Sequence, residues 1–293
     1  MLSLGDKGSV LLGPSGDDPP DGFDTVMDFT EFWVMLRNRL LELVKHAGFQ
    51  DPLAGARTAA WAVTHAVTTV AAAPSESAAA ASPSCMAAVE GAAALLEASL
   101  AIIADHAATD LQSAAEVRTA LGSLLQQLLG LQWLEPKLVF HYVRYLESFG
   151  KFVGKVQLDA GPAVASRLFA LLEVLPVSHA IGSGPDDGWK AIYQTRQKVC
   201  SGVLGFSKSG APALAAHLTA VGEQVERLSA AGHLRLMERS ALCEAMVLVA
   251  SAAGSPAQTA AVVEWVLAQT RARWAEPAYA ATFQVCASHL RLH

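Results

Sequence analysis

Residues that could act as acids, bases or metal ligands are present in this chain, but they form no recognisable catalytic pattern. Asp17-Asp18 lies among Gly, Ser and Pro residues, and Asp186-Asp187 lies in a Gly/Pro turn. Neither pair has the further carboxylates at helical spacing that a helical metal-diphosphate enzyme needs, and no phosphate loop, His-Glu-x-x-His helix or Gly-x-Ser-x-Gly elbow is present. His141 is interpreted as a helix-face residue. The sequence therefore predicts no enzyme, no metal site, no cofactor and no small-molecule substrate.

Basic residues show spacings that suit contact with a phosphate backbone. Lys137, Arg144 and Lys151 are seven residues apart, which places them on one face of a helix and its extension. Arg235 and Arg239 are neighbours one helical turn apart. On the inner side of a helical array, such side chains could follow the phosphates of a nucleic acid. The alternative interpretation is an ordinary solvated helix face.

A second basic group lies near residue 190. Lys190, Arg196 and Lys198 cluster at the start of a predicted helix, and Trp189 occupies the junction between that helix and the preceding loop. An indole at such a junction can stack on a base or remain structural. Both interpretations stay open at the level of sequence.

Helices must position these side chains, because the chain is rich in strong helix formers and poor in strand signals. Of its 293 residues 52% are apolar and only 7% aromatic. The first helical face is predicted to begin near Phe29 with Thr30 as its cap, and its apolar stripe is Phe32, Leu36, Leu40, Leu43 and Ala47. Eleven helices are predicted, at about 29–47, 53–73, 86–104, 113–129, 136–149, 162–175, 188–206, 212–228, 234–252, 256–275 and 277–290. Proline is expected at the first helical position at residues 136, 162, 212, 256 and 277.

A repeat is indicated by three cysteines. Cys200, Cys243 and Cys286 are 43 residues apart, within the 40–47 residues of a HEAT or armadillo unit. We interpret these cysteines as small buried residues at equivalent positions rather than as reactive thiols. The prediction is an all-α fold, a HEAT/armadillo-like α-solenoid of antiparallel helix pairs over residues 29–293. Residues 1–28, rich in Gly, Asp, Ser and Pro, are predicted to be disordered.

The charge balance limits the partners. With 21 Lys and Arg against 27 Asp and Glu, the net charge is −6, so the whole chain lacks the field of a generic nucleic-acid binder. Any RNA contact must come from a local basic strip. The least charged stretches, Thr58–Ser75 and the segment between Glu244 and Glu264, are interrupted or dominated by alanine, so no membrane partner is expected. The scattered cysteines suit a reducing, intracellular compartment.

Several short segments carry a resemblance to a known family. Met237–Ser251 resembles a stretch of the exportin-five family (Hasty type), nuclear export receptors of the importin-β superfamily. Weaker similarity runs in the same order from about residue 29 through Glu135–Leu138, Tyr145–Phe149, Ser166–Phe169, Arg196–Ser201 and Val263–Leu267. The chain resembles only a middle portion of the family chain. It is thus expected to be either a fragment or a shortened scaffold.

The resemblance implies a non-enzymatic receptor that shuttles between nucleus and cytoplasm, exporting double-stranded or hairpin RNA such as microRNA precursors together with Ran-GTP. It implies RNA contacts at Trp189, Lys190, Arg196 and Glu264, although Trp189 replaces a small hydroxyl residue of the family. The family's Ran-gripping repeats have no counterpart here, so this portion alone is not expected to bind Ran. The alternative is a HEAT-repeat scaffold that binds proteins through an apolar groove, and salt dependence separates the two.

Overall fold

The computed structural model describes residues 22–109, 111–177 and 187–275. Helices joined by short turns make up these ranges, and no strand occurs in them. The elements are α1 (Val26–Gln50), α2 (Pro52–Ala71), α3 (Glu76–Ala81), α4 (Pro83–Ala107), α5 (Gln112–Leu129), α6 (Pro136–Ser148), α7 (Gly150–Lys155), a 3-10 turn (Leu158–Ala160), α8 (Gly161–Val174), α9 (Asp187–Ala215), α10 (Leu218–Ala230), α11 (Leu236–Ala252) and α12 (Pro256–Ala275).

Many helix starts combine a capping side chain with a proline. The Asp51 carboxylate accepts a hydrogen bond from the Ala54 amide and is followed by Pro52, so one backbone donor is satisfied and another is absent. The Glu135 carboxylate caps α6 in the same way, ahead of Pro136. The predicted first-turn prolines are therefore confirmed at residues 136 and 256, and Pro162 is the second residue of α8.

Three boundary predictions were wrong. Helix α1 begins at Val26, inside the segment predicted to be disordered, and its cap is Thr25, whose hydroxyl oxygen lies 3.1 Å from the Asp28 amide nitrogen. Pro212 starts no helix but lies in the last turn of α9. The short helices α3 and α7 were missed. Residues 1–21 and the predicted helix over 277–290 lie outside the described ranges.

The helices follow one another as antiparallel pairs arranged in a row: α1 with α2, α4 with α5, α6 and α7 with α8, α9 with α10, and α11 with α12. Helices α6 and α8 are linked by a hydrogen bond from Arg167 to the Tyr142 hydroxyl. A first layer contains α1, α4, α6–α7, α9 and α11, and a second contains α2, α5, α8 and α10. In the described ranges, the substantial contacts of each pair are with the preceding and following pairs. This neighbour-only packing is typical of a solenoid. The predicted HEAT-like array is confirmed.

All first-layer helices run in the same direction. Between α6 and α9, Thr195 contacts Pro136 and Lys198 contacts Glu147, so residue numbers increase in the same direction along both helices. Between α1 and α4, Arg37 lies against Glu90 and Gly48 against Ile103. Between α4 and α6–α7, Glu97 pairs with Arg144 and Asp105 with Lys151. Between α9 and α11, Tyr193 contacts Arg235 and Arg196 contacts Glu238, so these neighbours are also parallel. The starts of α6, α9 and α11 therefore lie along one edge of the array, which we call the leading edge.

Helix α4 is the one described helix long and apolar enough to span a membrane by length and composition. The least charged stretches of the sequence, Thr58–Ser75 and the segment between Glu244 and Glu264, lie outside α4. More than half of its most apolar window is buried against other helices, among them α1, α2 and α6. Buried Val89 accepts a 2.8 Å hydrogen bond from the Tyr145 hydroxyl through its carbonyl. The apolarity of α4 is explained by its central position in the array.

The cysteine repeat is confirmed as far as the structure describes it. Cys200 and Cys243 are both buried in first-layer helices, α9 and α11. Burial raises the pKa of the Cys200 thiol to about 12 and also raises that of Cys243. Both thiols are therefore protonated and poorly reactive at neutral pH. Cys286 lies outside the described residues.

The apolar stripe predicted for the first helix is not a core face. Phe32 and Leu40 are largely exposed and Leu43 is 62% exposed, whereas Phe29 is buried and Arg37 bonds to Glu90 of α4. Within the described residues, α1 is the first helix of the row and has a neighbouring helix pair on one side only. We call the side chains Phe32, Met35, Leu40 and Leu43 the α1 stripe.

Candidate nucleic-acid interface

The start of α9 presents the residues singled out by resemblance. Lys190 is exposed and Trp189 is half-buried. The guanidinium carbon of Arg235, at the start of α11, lies 5.1 Å from the centre of the Trp189 ring and 4.8 Å from that of Tyr193. Both distances are within the range of cation–π attraction. The structure therefore joins Trp189 and Tyr193 to Arg235, which the sequence had only paired with Arg239.

Arg196 has a different environment. It is fully buried, and its five N–H groups all have acceptors: Nε to Glu238 Oε1 (2.8 Å), Nη1 to the carbonyls of Leu172 (3.0 Å) and Leu175 (2.6 Å), and Nη2 to Glu238 Oε2 (2.7 Å) and the carbonyl of His233 (2.6 Å). A guanidinium has no further donors. Arg196 therefore cannot reach an RNA phosphate in this structure, and the contact implied by resemblance does not fit it.

Glu238 connects this buried pair to the surface. Its carboxylate accepts both Arg196 bonds and a 2.9 Å bond from the backbone N–H of Arg235. Burial alone would raise the pKa of Glu238, but the hydrogen bonds and charges of the two arginines hold it below its usual value. The carboxylate is thus ionised, and it fixes where α11 begins relative to α9.

The basic stripe of α6 and α7 faces α4. Arg144 forms two 2.8 Å bonds to the carboxylate of Glu97, and Lys151 lies 2.7 Å from Asp105. Hydrogen bonds from Lys151 and Lys155 lower the pKa of Asp105. The seven-residue spacing correctly placed Arg144 and Lys151 on one face, but that face is bound to neighbouring acids. The structure thus favours a bridging role for these two residues.

Lys137 separates from the other two members of that stripe. It is the second residue of α6, it is exposed, and no ion pair of its side chain occurs in the described part of the chain. Since α6 and α9 run parallel, Lys137 lies on the leading edge with Lys190. The structure therefore groups Lys137 with the second basic cluster and not with Arg144.

Ion pairs bridge each neighbouring pair of first-layer helices. Besides the pairs of Arg144, Lys151 and Arg196, Arg37 of α1 lies 3.3 Å from Glu90 of α4, and Lys198 of α9 lies 2.7 Å from Glu147 of α6. Lys198, assigned from sequence to the basic cluster, is thus half-buried and paired. The sequence could not show this, because the partners are about fifty residues apart.

His141 lies among these cations, which affect its pKa. Burial, followed by the charges of Arg144, Lys198 and Arg37, lowers the pKa of His141 to about 3. Its Nδ1 lies 3.3 Å from Nη1 of Arg144. The ring is therefore neutral at pH 7.

The surroundings of Glu264 give no specific sign that it accepts hydrogen bonds from RNA. It is exposed on α12, where it forms an ion pair with Arg271. Within the described ranges no ion pair joins Glu264 to Lys190. The structure thus brings Arg235 to the ring of Trp189, which precedes Lys190 in sequence, and leaves Glu264 on α12.

No converging polar site occurs in the described residues. No three His, Cys, Asp or Glu side chains there come close enough to hold a metal ion. The void between α8, α9 and α11, lined by Phe169, Phe206 and Met246, has a volume of about 10 Å³, which leaves room for about one water molecule. An open groove of about 580 Å³ lies between α5 and α7, lined by Arg118, Gln126 and Gln157. Neither feature resembles a catalytic pocket.

Two comparisons with known proteins agree with this architecture. The family model described as the Exportin-5 family matches residues 19–291. Protein HASTY 1 of Arabidopsis thaliana is 27% identical over 261 residues, a match that covers 88% of this chain and 20% of the relative. The chain therefore spans about a fifth of the length of that relative.

Proposed function

Since the chain belongs to the Exportin-5 family, we propose that it serves nuclear export as a non-enzymatic scaffold that contacts structured RNA. The cargo class is double-stranded or hairpin RNA such as microRNA precursors. Dependence on Ran-GTP is proposed for the longer receptor, of whose length this chain spans about a fifth, and not for this portion alone. The protein would accordingly shuttle between nucleus and cytoplasm.

The observation that supports RNA contact is the leading edge. Lys137 and Lys190 are exposed at the starts of α6 and α9, and Arg235 directly precedes α11. An edge that repeats such cations can follow a phosphate backbone. This mode suits A-form RNA, whose deep major groove admits no side chains and which is recognised by shape and backbone.

The charge distribution predicts weak and salt-sensitive binding. The net charge is −6, and Arg144, Lys151, Lys155 and Lys198 are already paired with acids. Only a few cations remain for phosphates, and each phosphate contact adds to the salt dependence.

Charge reversal at the edge tests the proposal. Lys190→Glu is expected to weaken binding of a short hairpin RNA with a 3′ overhang by about fivefold or more at 0.1 M salt, measured by fluorescence anisotropy. Lys208→Glu is the matched control, since Lys208 is exposed on the same helix, about 27 Å further along at 1.5 Å per residue. Equal loss in both variants, or none at Lys190, would remove Lys190 from the interface.

A protein-binding scaffold remains the second candidate. The α1 stripe (Phe32, Met35, Leu40, Leu43) is an exposed apolar surface, the kind that binds protein helices. Leu43→Glu should abolish such binding and leave RNA affinity within about twofold. RNA binding should fall steeply between 50 and 200 mM salt, whereas binding to an apolar stripe should not.

A further inference from the structure

The Arg235 guanidinium is a preorganised cation on the leading edge. We propose that it binds a phosphodiester of the RNA, a site that rests on the proposed function and adds a residue to it. Trp189, Tyr193 and the Val177 carbonyl hold the side chain in position. The site lies where the end of α8 and the starts of α9 and α11 meet.

The hydrogen bonds of Arg235 leave one edge of its guanidinium open. Nε donates to the Val177 carbonyl at 2.8 Å, and Nη2 donates to the same oxygen. Together these two bonds use the edge formed by Nε and Nη2. The opposite edge carries the N–H groups of Nη1 and the second N–H of Nη2, for which no acceptor occurs among the described residues. Two parallel N–H groups of this kind match two phosphate oxygens.

The aromatic rings limit the motion of this cation. The guanidinium carbon lies 5.1 Å from the Trp189 ring centre and 4.8 Å from the Tyr193 ring centre, and the two residues are one turn apart on α9. An arginine that is already ordered loses less conformational entropy when it binds. The arrangement therefore favours a ligand that binds a guanidinium held in one orientation.

The local charge favours an anion. Arg196 and Glu238 neutralise each other in a bidentate pair, while Arg235 has no ion pair within the described residues. Lys190 adds a second positive charge on the same edge. Because Arg235 is half-buried, its field is screened less than that of a fully exposed side chain.

The surroundings leave the site open to a large ligand. Tyr193 is 41% exposed, and Leu236 and Met237, directly after Arg235, are 66% and 78% exposed. A guanidinium fork also fits a carboxylate, so an acidic peptide is the competing ligand. RNA is favoured because Lys137, Lys190 and Arg235 place positive side chains along one edge, as a phosphate chain requires.

The experiment measures hairpin RNA affinity against salt for the 293-residue chain and for Arg235→Gln. The affinity should fall by about five- to tenfold at 0.1 M salt, and the slope of log K against log salt should fall by about one. Arg57→Gln is the control, since Arg57 is exposed on α2 and pairs with Glu116. A purely structural role for Arg235 would lower stability but would leave the salt slope unchanged.

Tyr193→Leu is a second variant that keeps every charge. It keeps an apolar side chain at the position and removes the ring, so affinity should fall by about two- to fivefold with the slope unchanged. If the unaltered chain shows no salt-dependent RNA binding, the proposed function fails and this site fails with it. If the chain binds RNA and Arg235→Gln matches Arg57→Gln, only the Arg235 site is overturned. If an acidic peptide bound at Arg235 and hairpin RNA did not, the proposal that Arg235 binds a phosphodiester would also be overturned.

Discussion

Arg196 and Glu238 form a buried, bidentate ion pair that joins α9 to α11, with N–O distances of 2.8 and 2.7 Å. The same guanidinium holds the backbone carbonyls of Leu172 and Leu175 at the end of α8. Three helices thus meet at one side chain. Its basic character, which by resemblance implied an RNA contact, serves the packing of adjacent repeats.

Removing one partner of this pair should be costly. Glu238→Gln leaves the Arg196 charge buried and partly unpaired, so we expect a loss of about 3–5 kcal/mol in the free energy of unfolding. Urea denaturation followed by circular dichroism measures it. Glu264→Gln, on an exposed ion pair, should change stability by less than about 1 kcal/mol. Equal effects of the two substitutions would contradict the buried pair.

Arg144→Gln should leave RNA affinity within about twofold, because Arg144 is bound to Glu97 and bridges α6 to α4. A double-mutant cycle of Arg144→Gln with Glu97→Gln should give a coupling of about 0.5–1 kcal/mol in stability. Lys190→Gln is the comparison for RNA affinity. A loss at Arg144 as large as that at Lys190 would restore the stripe as an RNA contact.

His141 should make the protein less stable in mild acid. Its pKa is about 3 in the folded protein and about 6.5 when unfolded, so between these values only the unfolded chain binds the proton. Stability is therefore full above pH 6.5 and falls by about 1.4 kcal/mol per unit as pH decreases toward 3. His141→Gln should flatten this slope.

Urea midpoints at pH 7.5, 6 and 5 measure the difference between the two proteins. This range lies above the acid region in which Asp105 and Glu238, whose pKa values are lowered, begin to destabilise the fold on protonation. Parallel pH dependence in both proteins would show that His141 does not carry the effect.

Gly154 allows α7 and α9 to approach closely. A Cβ at this position would lie 2.6 Å from the Ser209 carbonyl oxygen and 3.0 Å from Cα of Gly210. We expect Gly154→Ala to destabilise the protein by about 1–3 kcal/mol, although alanine is the better helix former. Gly91→Ala, in α4 with no atom near the new methyl, should stabilise by about 0.5–1 kcal/mol. Thermal denaturation measures both, and stabilisation at residue 154 would contradict the close packing.

Local signals in the sequence were sufficient for the longer of the described helices and for their order along the chain. Pro136 and Pro256 begin helices as expected, and the 43-residue spacing of Cys200 and Cys243 reports equivalent buried positions. Pro212 was misplaced because proline is also tolerated close to the end of a helix whose earlier turns pack well.

Partners distant in sequence account for the errors in the candidate site. Whether Arg196 is exposed depends on Glu238, 42 residues later, and the pairing of Arg144 depends on Glu97. An aromatic residue in an apolar helix need not be buried either, since Trp61 of α2 is 67% exposed and stacks on His65. Arg235 was not distinguished from other basic residues because its two ring contacts lie on another repeat.

The neighbour-only contacts of the five described helix pairs have a mechanical consequence. A small rotation at each junction is added to the next, so about 5° at each of four junctions turns the two ends by about 20° with little repacking anywhere. The ends can separate or approach while every interface keeps its contacts. Such elasticity would let the proposed RNA-binding edge fit ligands of different widths without a hinge.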